Sequence, residues 1–205
     1  MWALTLPRPS WQAASAASDS TALLADIGTN GEIALWHKGK LSCCSTAAGP
    51  AFEGANLSQG MQGAPGAIDH AWVEDGTVAI HTIGEVAPVG ICGSGVADVL
   101  ACLLKLDILD ETGLLADDED EFPLAKGVAF TQMDVRQVQL AKSAVRAGME
   151  TLIHQVGLTK GDITRLAIAG GFGSYLSLDS APAIGPLPPE LAPRCDVLGN
   201  AALSG

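Results

Sequence analysis

Apolar residues in this chain fall in short blocks separated by glycine-bearing turns, so the hydrophobic pattern predicts many brief elements. The run Thr21-Ala22-Leu23-Leu24-Ala25 has the unbroken apolar character of a strand buried on both faces, and it ends at Asp26-Ile27-Gly28-Thr29-Asn30-Gly31-Glu32. Ile33-Ala34-Leu35-Trp36 reads as the returning strand, with Asn30-Gly31 supplying the positive φ angles of a tight hairpin. Leu41 to Ser45 continues the meander as a third strand. Gly49 to Gly66 is irregular and glycine-rich, a loop with room for a single helical turn. Ala71 to Val73 and Val78 to Ile83 flank Asp75-Gly76 and predict a second hairpin.

Helical periodicity comes later. Gly90-Ile91-Cys92-Gly93-Ser94-Gly95 opens a helix over Val96 to Leu106, with Ser94 placed to cap its free N–H groups. In a second helix Val138, Ala141, Val145, Met149, Leu152 and Val156 recur at steps of three and four, with Asp134 as cap and Gly157 as stop. After Asp162 a last apolar strand, Leu166 to Ala169, runs into Gly170-Gly171-Phe172-Gly173. Strands, helix, strand and glycine loop in that order predict an α/β fold with helices packed on a mixed sheet.

Composition narrows the functional classes. A net charge of −12 repels phosphate backbones and anionic lipid, and no basic stripe interleaved with aromatics occurs, which argues against nucleic acid as a partner. No apolar run reaches the roughly 18 to 20 residues of a membrane-spanning helix, so no membrane partner is expected. The acidic run Asp117 to Glu121 lacks the spacing of a calcium loop and reads as a solvated segment. The five cysteines, Cys43, Cys44, Cys92, Cys102 and Cys195, show no paired motif and point to a reducing compartment. Residues 1–20 have neither the basic start nor the apolar core of a secretory signal; they read as an unstructured or misassigned leader, and cytoplasmic location is the expectation.

The segment Asp26 to Glu32 is the strongest chemical feature. A buried strand delivers one carboxylate to its end, and the glycines let backbone N–H groups approach an anion, as a phosphate-binding hairpin requires. Ordinary turn chemistry is the competing account of the same residues. Gly170-Gly171-Phe172-Gly173 again lies at the carboxyl end of an apolar strand, where ligands of open sheets bind, although close strand–helix packing also explains such glycines. Gly93 and Ser94 mark a helix start able to hold an anion, with plain capping as the alternative. Glu53 in Pro50-Ala51-Phe52-Glu53-Gly54 is a second candidate catalytic carboxylate, suited to orienting a water or a Mg²⁺ ligand, or else a simple helix-end charge. His37, His70, His81 and His154 lack partners at metal-ligand spacing, and no P-loop or nucleophile elbow occurs.

Taken in order, these segments resemble one family. Asp26 to Glu32, Ser45-Thr46-Ala47-Ala48-Gly49-Pro50-Ala51-Phe52-Glu53-Gly54-Ala55, Gly90 to Gly95, Thr131-Gln132-Met133-Asp134-Val135-Arg136, Gln139-Leu140-Ala141-Lys142, Arg146-Ala147-Gly148, Ala169 to Gly173 and Gly199-Asn200-Ala201-Ala202-Leu203 are similar to the reductive activators of corrinoid proteins. Their ATPase domain belongs to the superfamily of acetate and sugar kinases, heat-shock chaperones and actin. The resemblance implies a truncated actin-like, ribonuclease H-like ATPase lobe over residues 21–205, running from the second phosphate motif through the adenosine motif. It implies ATP and Mg²⁺ as ligands, and as partner a corrinoid protein of a methyltransferase system, whose Co(II) is returned to Co(I). It also implies that the electron passes through an iron-sulfur domain that members carry ahead of the lobe.

Carried over residue by residue, Asp26 becomes the carboxylate facing Mg²⁺ and polarising water, Gly28, Thr29, Asn30 and Gly31 contact phosphate, and Gly170 and Gly171, followed by Phe172 and Gly173, contact the nucleoside. The cysteine cluster and the first phosphate motif of the family do not occur in this sequence, so the expectation is a gene fragment. A single lobe supplies roughly half the contacts of a cleft that closes between two, and uncovered apolar surface favours a homodimer. A small-molecule kinase lobe of the same superfamily and a degenerate interaction module are the alternative readings.

Overall fold

A strand with consecutive apolar residues on both faces needs cover on both, and Ala22 to Ala25 find it at the centre of a sheet. The computed structural model describes residues 20–116, 119–170 and 187–198. In chain order the elements are β1 (Ala22–Ile27), β2 (Gly31–His37), β3 (Lys40–Thr46), β4 (Ala67–Glu74), β5 (Thr77–Thr82), β6 (Gly90–Ile91), α1 (Gly93–Lys105), β7 (Glu121–Ala125), β8 (Val128–Thr131), α2 (Gln132–Gln155), β9 (Arg165–Ala169) and β10 (Cys195–Val197). Five strands form one sheet in the order β10-β9-β1-β2-β3. The β1–β2–β3 meander is antiparallel, whereas β9 lies parallel to both β1 and β10.

One face of β1 sends Leu23, Ala25 and Ile27 into the main core with Ile33, Leu35, Val138, Ala141, Val145, Met149 and Leu152. The other face is thin: Ala22, Leu24, Ala34, Ala167 and Ala169 form a small cluster with Trp36 and Leu198 against it. Helix α2 lies across β2 and β3, and Gly148 sets how closely it can approach. A side chain there would collide with Thr46 and stand 2.5 Å from Ile33 Cδ1. A second sheet, ordered β5-β4-β6, carries α1 on its face, and the β7–β8 hairpin feeds directly into α2.

The mixed sheet with packed helices is the architecture the pattern predicts, and the Asp75-Gly76 hairpin is present with φ of 48° and 75°. Other local readings are corrected. Pairing of Ile27 with Gly31 leaves Gly28, Thr29 and Asn30 as the connection, so Gly31 is an ordinary strand residue and neither it nor Asn30 has positive φ. The α2 cap is Thr131, whose side chain accepts from the Asp134 N–H while Asp134 returns a bond to the Thr131 N–H. That reciprocal box makes Asp134 its inner member and not the cap. Helix α1 begins earlier than predicted, with Cys92 as N-cap and no side-chain cap, because the Ser94 hydroxyl donates to the Asp69 carbonyl instead.

Replacing Gly148 by Leu tests this packing. The helix would gain about 1 kcal/mol in propensity, but the overpacked contact with β2 and β3 opposes it by about 1–3 kcal/mol or more. The expected result is a lower urea midpoint at an unchanged m-value; an unchanged or higher midpoint would mean that α2 does not press on the meander.

Candidate functional site at the rim of the sheet

The parallel register of β1 with β9 sets Asp26 beside Ala169, so Gly170 emerges at the rim where β1 ends. Gly170 has φ of 97°, and a Cβ on it would meet the Ile27 carbonyl and lie 2.6 Å from Asp26 Oδ1. Only glycine suits both the backbone angle and the contact. The structure thus brings Asp26, the Gly28-Thr29-Asn30 connection and Gly170 to one edge, the carboxyl ends of two parallel strands, where open α/β sheets hold ligands. Gly171, Phe172 and Gly173 lie outside the described residues.

Within the connection the Gly28 N–H donates to the Asn30 carbonyl at 3.1 Å, so this amide closes the turn and is not offered to a ligand. Thr29 and Asn30 are exposed at the tip. Thr29 also grips the neighbouring segment twice: its carbonyl accepts from the Gly49 N–H at 2.9 Å and its hydroxyl donates to Glu53 Oε2 at 2.7 Å. Glu53 ends a short 3-10 turn, Pro50–Glu53, that is anchored by the buried Phe52. Its carboxylate is therefore a partner of the hairpin.

Asp26 is half-buried, and burial first, then the Glu32 carboxylate across the β1–β2 pair, push its pKa above the ordinary aspartate value. A carboxylate held this way gains from any cation that reaches it. Among the described residues no group of three or more His, Cys, Asp and Glu can hold a metal ion. A magnesium ion would fit Asp26 only in its usual manner, with one carboxylate and the remaining oxygens from phosphate and water.

Beside the hairpin opens a cleft of about 790 Å³, lined by Glu53, Met61, Asp69, His70, Cys92 and Ser94 among others. Gly93 also lines it, but the Ser94 side chain is held by β4. Sequence reading missed two pairs here: His81 Nδ1 lies 2.6 Å from Asp69 Oδ1, and His70 Nδ1 lies 3.2 Å from Asp98 Oδ2. The Asp75-Gly76 turn already fixes a register that faces His70 with His81 across the strands, and that was the available signal.

A buried strand ending in Asp-Ile-Gly-Thr-Asn, an antiparallel meander, and a parallel strand returning to the same rim with a glycine define an actin-like lobe of the class named for acetate and sugar kinases, heat-shock chaperones and actin. The chain belongs to the family described as the C-terminal domain of RACo, the ASKHA domain, which matches residues 20–205. It is 36% identical over 209 residues to the corrinoid activation enzyme RamQ of Eubacterium limosum, covering 89% of this chain and 35% of that protein. It is 30% identical over 204 residues to the [Co(II) methylated amine-specific corrinoid protein] reductase of Methanosarcina barkeri, covering 89% of this chain and 37% of that one. A solved structure, the reductive activator for corrinoid, iron-sulfur protein, superposes with a TM-score of 0.82 at 37% identity, over 91% of this chain and 33% of that chain. The chain thus spans about a third of the relatives it matches. Among the described residues no helix is long and apolar enough to cross a membrane.

The raised pKa of Asp26 makes a signed prediction. Because the folded state holds this proton more tightly than the unfolded chain, stability is higher with Asp26 protonated and is lost as pH rises through the raised pKa. Asp26→Asn is expected to raise the denaturation midpoint at about pH 7, and the gain should shrink towards about pH 4, the ordinary aspartate range. A lower midpoint at neutral pH would show that the charged carboxylate has a stabilising partner.

Proposed function

We propose that this chain is the nucleotide-binding portion of an ATP-dependent reductive activator of corrinoid proteins. Its relatives carry corrinoid activation, reduction of a Co(II) corrinoid protein and reductive activation in their names. The observation that supports a nucleotide most directly is the meeting of Asp26, Thr29 and Gly170 at one rim. In this reading Thr29 and Asn30 hydrogen-bond the phosphate oxygens, and Asp26 binds magnesium through water and orients the attacking water. Gly170, whose missing Cβ lets β9 close against the Ile27 carbonyl and Asp26, brings its backbone to the same rim, and the nucleoside lies against that backbone. Bound ATP supplies hydrolytic free energy for an uphill reduction; the residues named here bind and orient it.

The electron carrier is a separate matter. Cys43 and Cys44 on β3, Cys92 and Cys102 at the cap and in the body of α1, and Cys195 on β10 are free thiols, and they do not form the four-thiolate cradle of an iron-sulfur cluster. In the proposed reading the cluster belongs to the part of an activator that this chain does not match. The partner is the corrinoid protein of a methyltransferase system, which brings its own cobalt.

Isothermal titration of the chain with MgATP tests the reading. Saturable binding is expected, weakened at least about tenfold, or about 1.4 kcal/mol, by Asp26→Ala. No binding to the wild-type chain, or equal affinity in the variant, would overturn it.

A further inference from the structure

Glu53 stands where the glycine hairpin and the neighbouring cleft meet. Its Oε2 accepts the Thr29 hydroxyl proton at 2.7 Å, and its Oε1 is 3.3 Å from where a side chain on Gly28 would begin. The same residue lines the cleft of about 790 Å³. Thr29 fastens the segment carrying Glu53 at both ends, through its carbonyl to Gly49 and through its hydroxyl to Glu53. The far side of that turn rests on the start of α1: Phe52 is buried, and its carbonyl is packed so tightly on Gly93 that no side chain fits there. Next to Gly93 is Cys92, in the cleft wall, whose thiol donates to the Ile68 carbonyl at 3.3 Å. A contiguous path therefore runs from the hairpin hydroxyl to a thiol in the cleft.

The chemistry at the head of this path allows two states. A threonine hydroxyl has one proton to donate, so Thr29 cannot serve Glu53 and a phosphate oxygen together. A phosphate at the hairpin would also repel the Glu53 carboxylate, because both are anionic and only a few ångströms would separate them. We infer that Glu53 couples the two sites: phosphate at the hairpin accepts the hydrogen bond of the Thr29 hydroxyl in place of Glu53, releases the Glu53 carboxylate, and loosens the Pro50–Glu53 turn that walls the cleft. This rests on the reading that the hairpin binds the phosphates of a nucleotide. Linkage makes the effect reciprocal, so a cleft ligand that engages Glu53 strengthens phosphate binding by the same factor.

Thiol modification reads the state of the wall. The chain is treated with N-ethylmaleimide with and without saturating MgATP, nucleotide occupancy is measured by calorimetry, and modification of each cysteine is followed by peptide mass spectrometry. In the wild-type chain Cys92 is expected to react at least about fivefold faster with MgATP bound, the lower end of ordinary coupling, while the exposed Cys43 on β3 keeps its rate. Thr29→Val and Glu53→Ala, each of which removes the bond between the two side chains, are expected to show the fast Cys92 rate without nucleotide and no further change with it, and Thr29→Ser is expected to restore the response. An unchanged Cys92 rate in a wild-type chain with MgATP bound sinks the coupling and leaves the nucleotide reading standing. A response that survives in both Thr29→Val and Glu53→Ala sinks it equally. Absence of MgATP binding removes the nucleotide reading, and the coupling with it.

Discussion

The parallel pairing of β1 with β9 is the constraint on which the rest depends. It joins residues far apart in the chain: Thr164 and Thr21 are separated by 143 positions and exchange hydrogen bonds through the Thr164 hydroxyl at the start of the pair. Ala22 then faces Arg165 and Asp26 faces Ala169, so both strands end at one level. A shift of a single residue would turn every side chain of one strand to the opposite face, moving Leu166 and Ile168 out of the main core and Ala167 into it. The core therefore enforces the register, and the register puts Gly170 against Asp26.

The rim this creates is not a place of maximum stability. Asp26 and Glu32 are cross-strand neighbours of like charge, and burial already disfavours the Asp26 carboxylate. Like charges set opposite each other weaken a strand pair. The arrangement is reasonable when a cation and an anionic ligand complete it, which is how local conflict in an otherwise consistent fold marks a functional edge. The thin alanine-rich layer on one face of β1 and the large aliphatic layer on the other place that edge at the border of a well-packed body.

What the sequence revealed depended on how far apart the interacting residues lie. β1 was readable because four consecutive apolar residues ahead of Asp26 allow few alternatives, and α2 because its buried positions recur every three or four residues through Leu152. β6 and β10 escaped notice because they are 2 and 3 residues long, too short to display a period, and β7 because Pro123 interrupts it. The errors at Ser94 and Asp134 share a cause: a capping residue was inferred from local text, but its side chain was claimed by other groups, the Asp69 carbonyl for Ser94 and the Ser58 and Thr131 N–H groups for Asp134. The candidates Asp26 and Gly170 could be named from strand ends alone, whereas the Thr29 to Glu53 bond, spanning 24 residues, needed the folded chain.

The central claim is that one rim of the sheet receives a nucleotide, its phosphates at the hairpin and its nucleoside at Gly170. Backbone ¹H–¹⁵N correlation spectra recorded during a MgATP titration test it residue by residue. The account predicts that the amide signals of Thr29, Asn30 and Gly170 move together with one saturation curve, while those at the Asp75-Gly76 tip stay still. Shifts confined to the β4–β5 hairpin, or a titration that leaves the Thr29 and Gly170 signals unmoved, would contradict it.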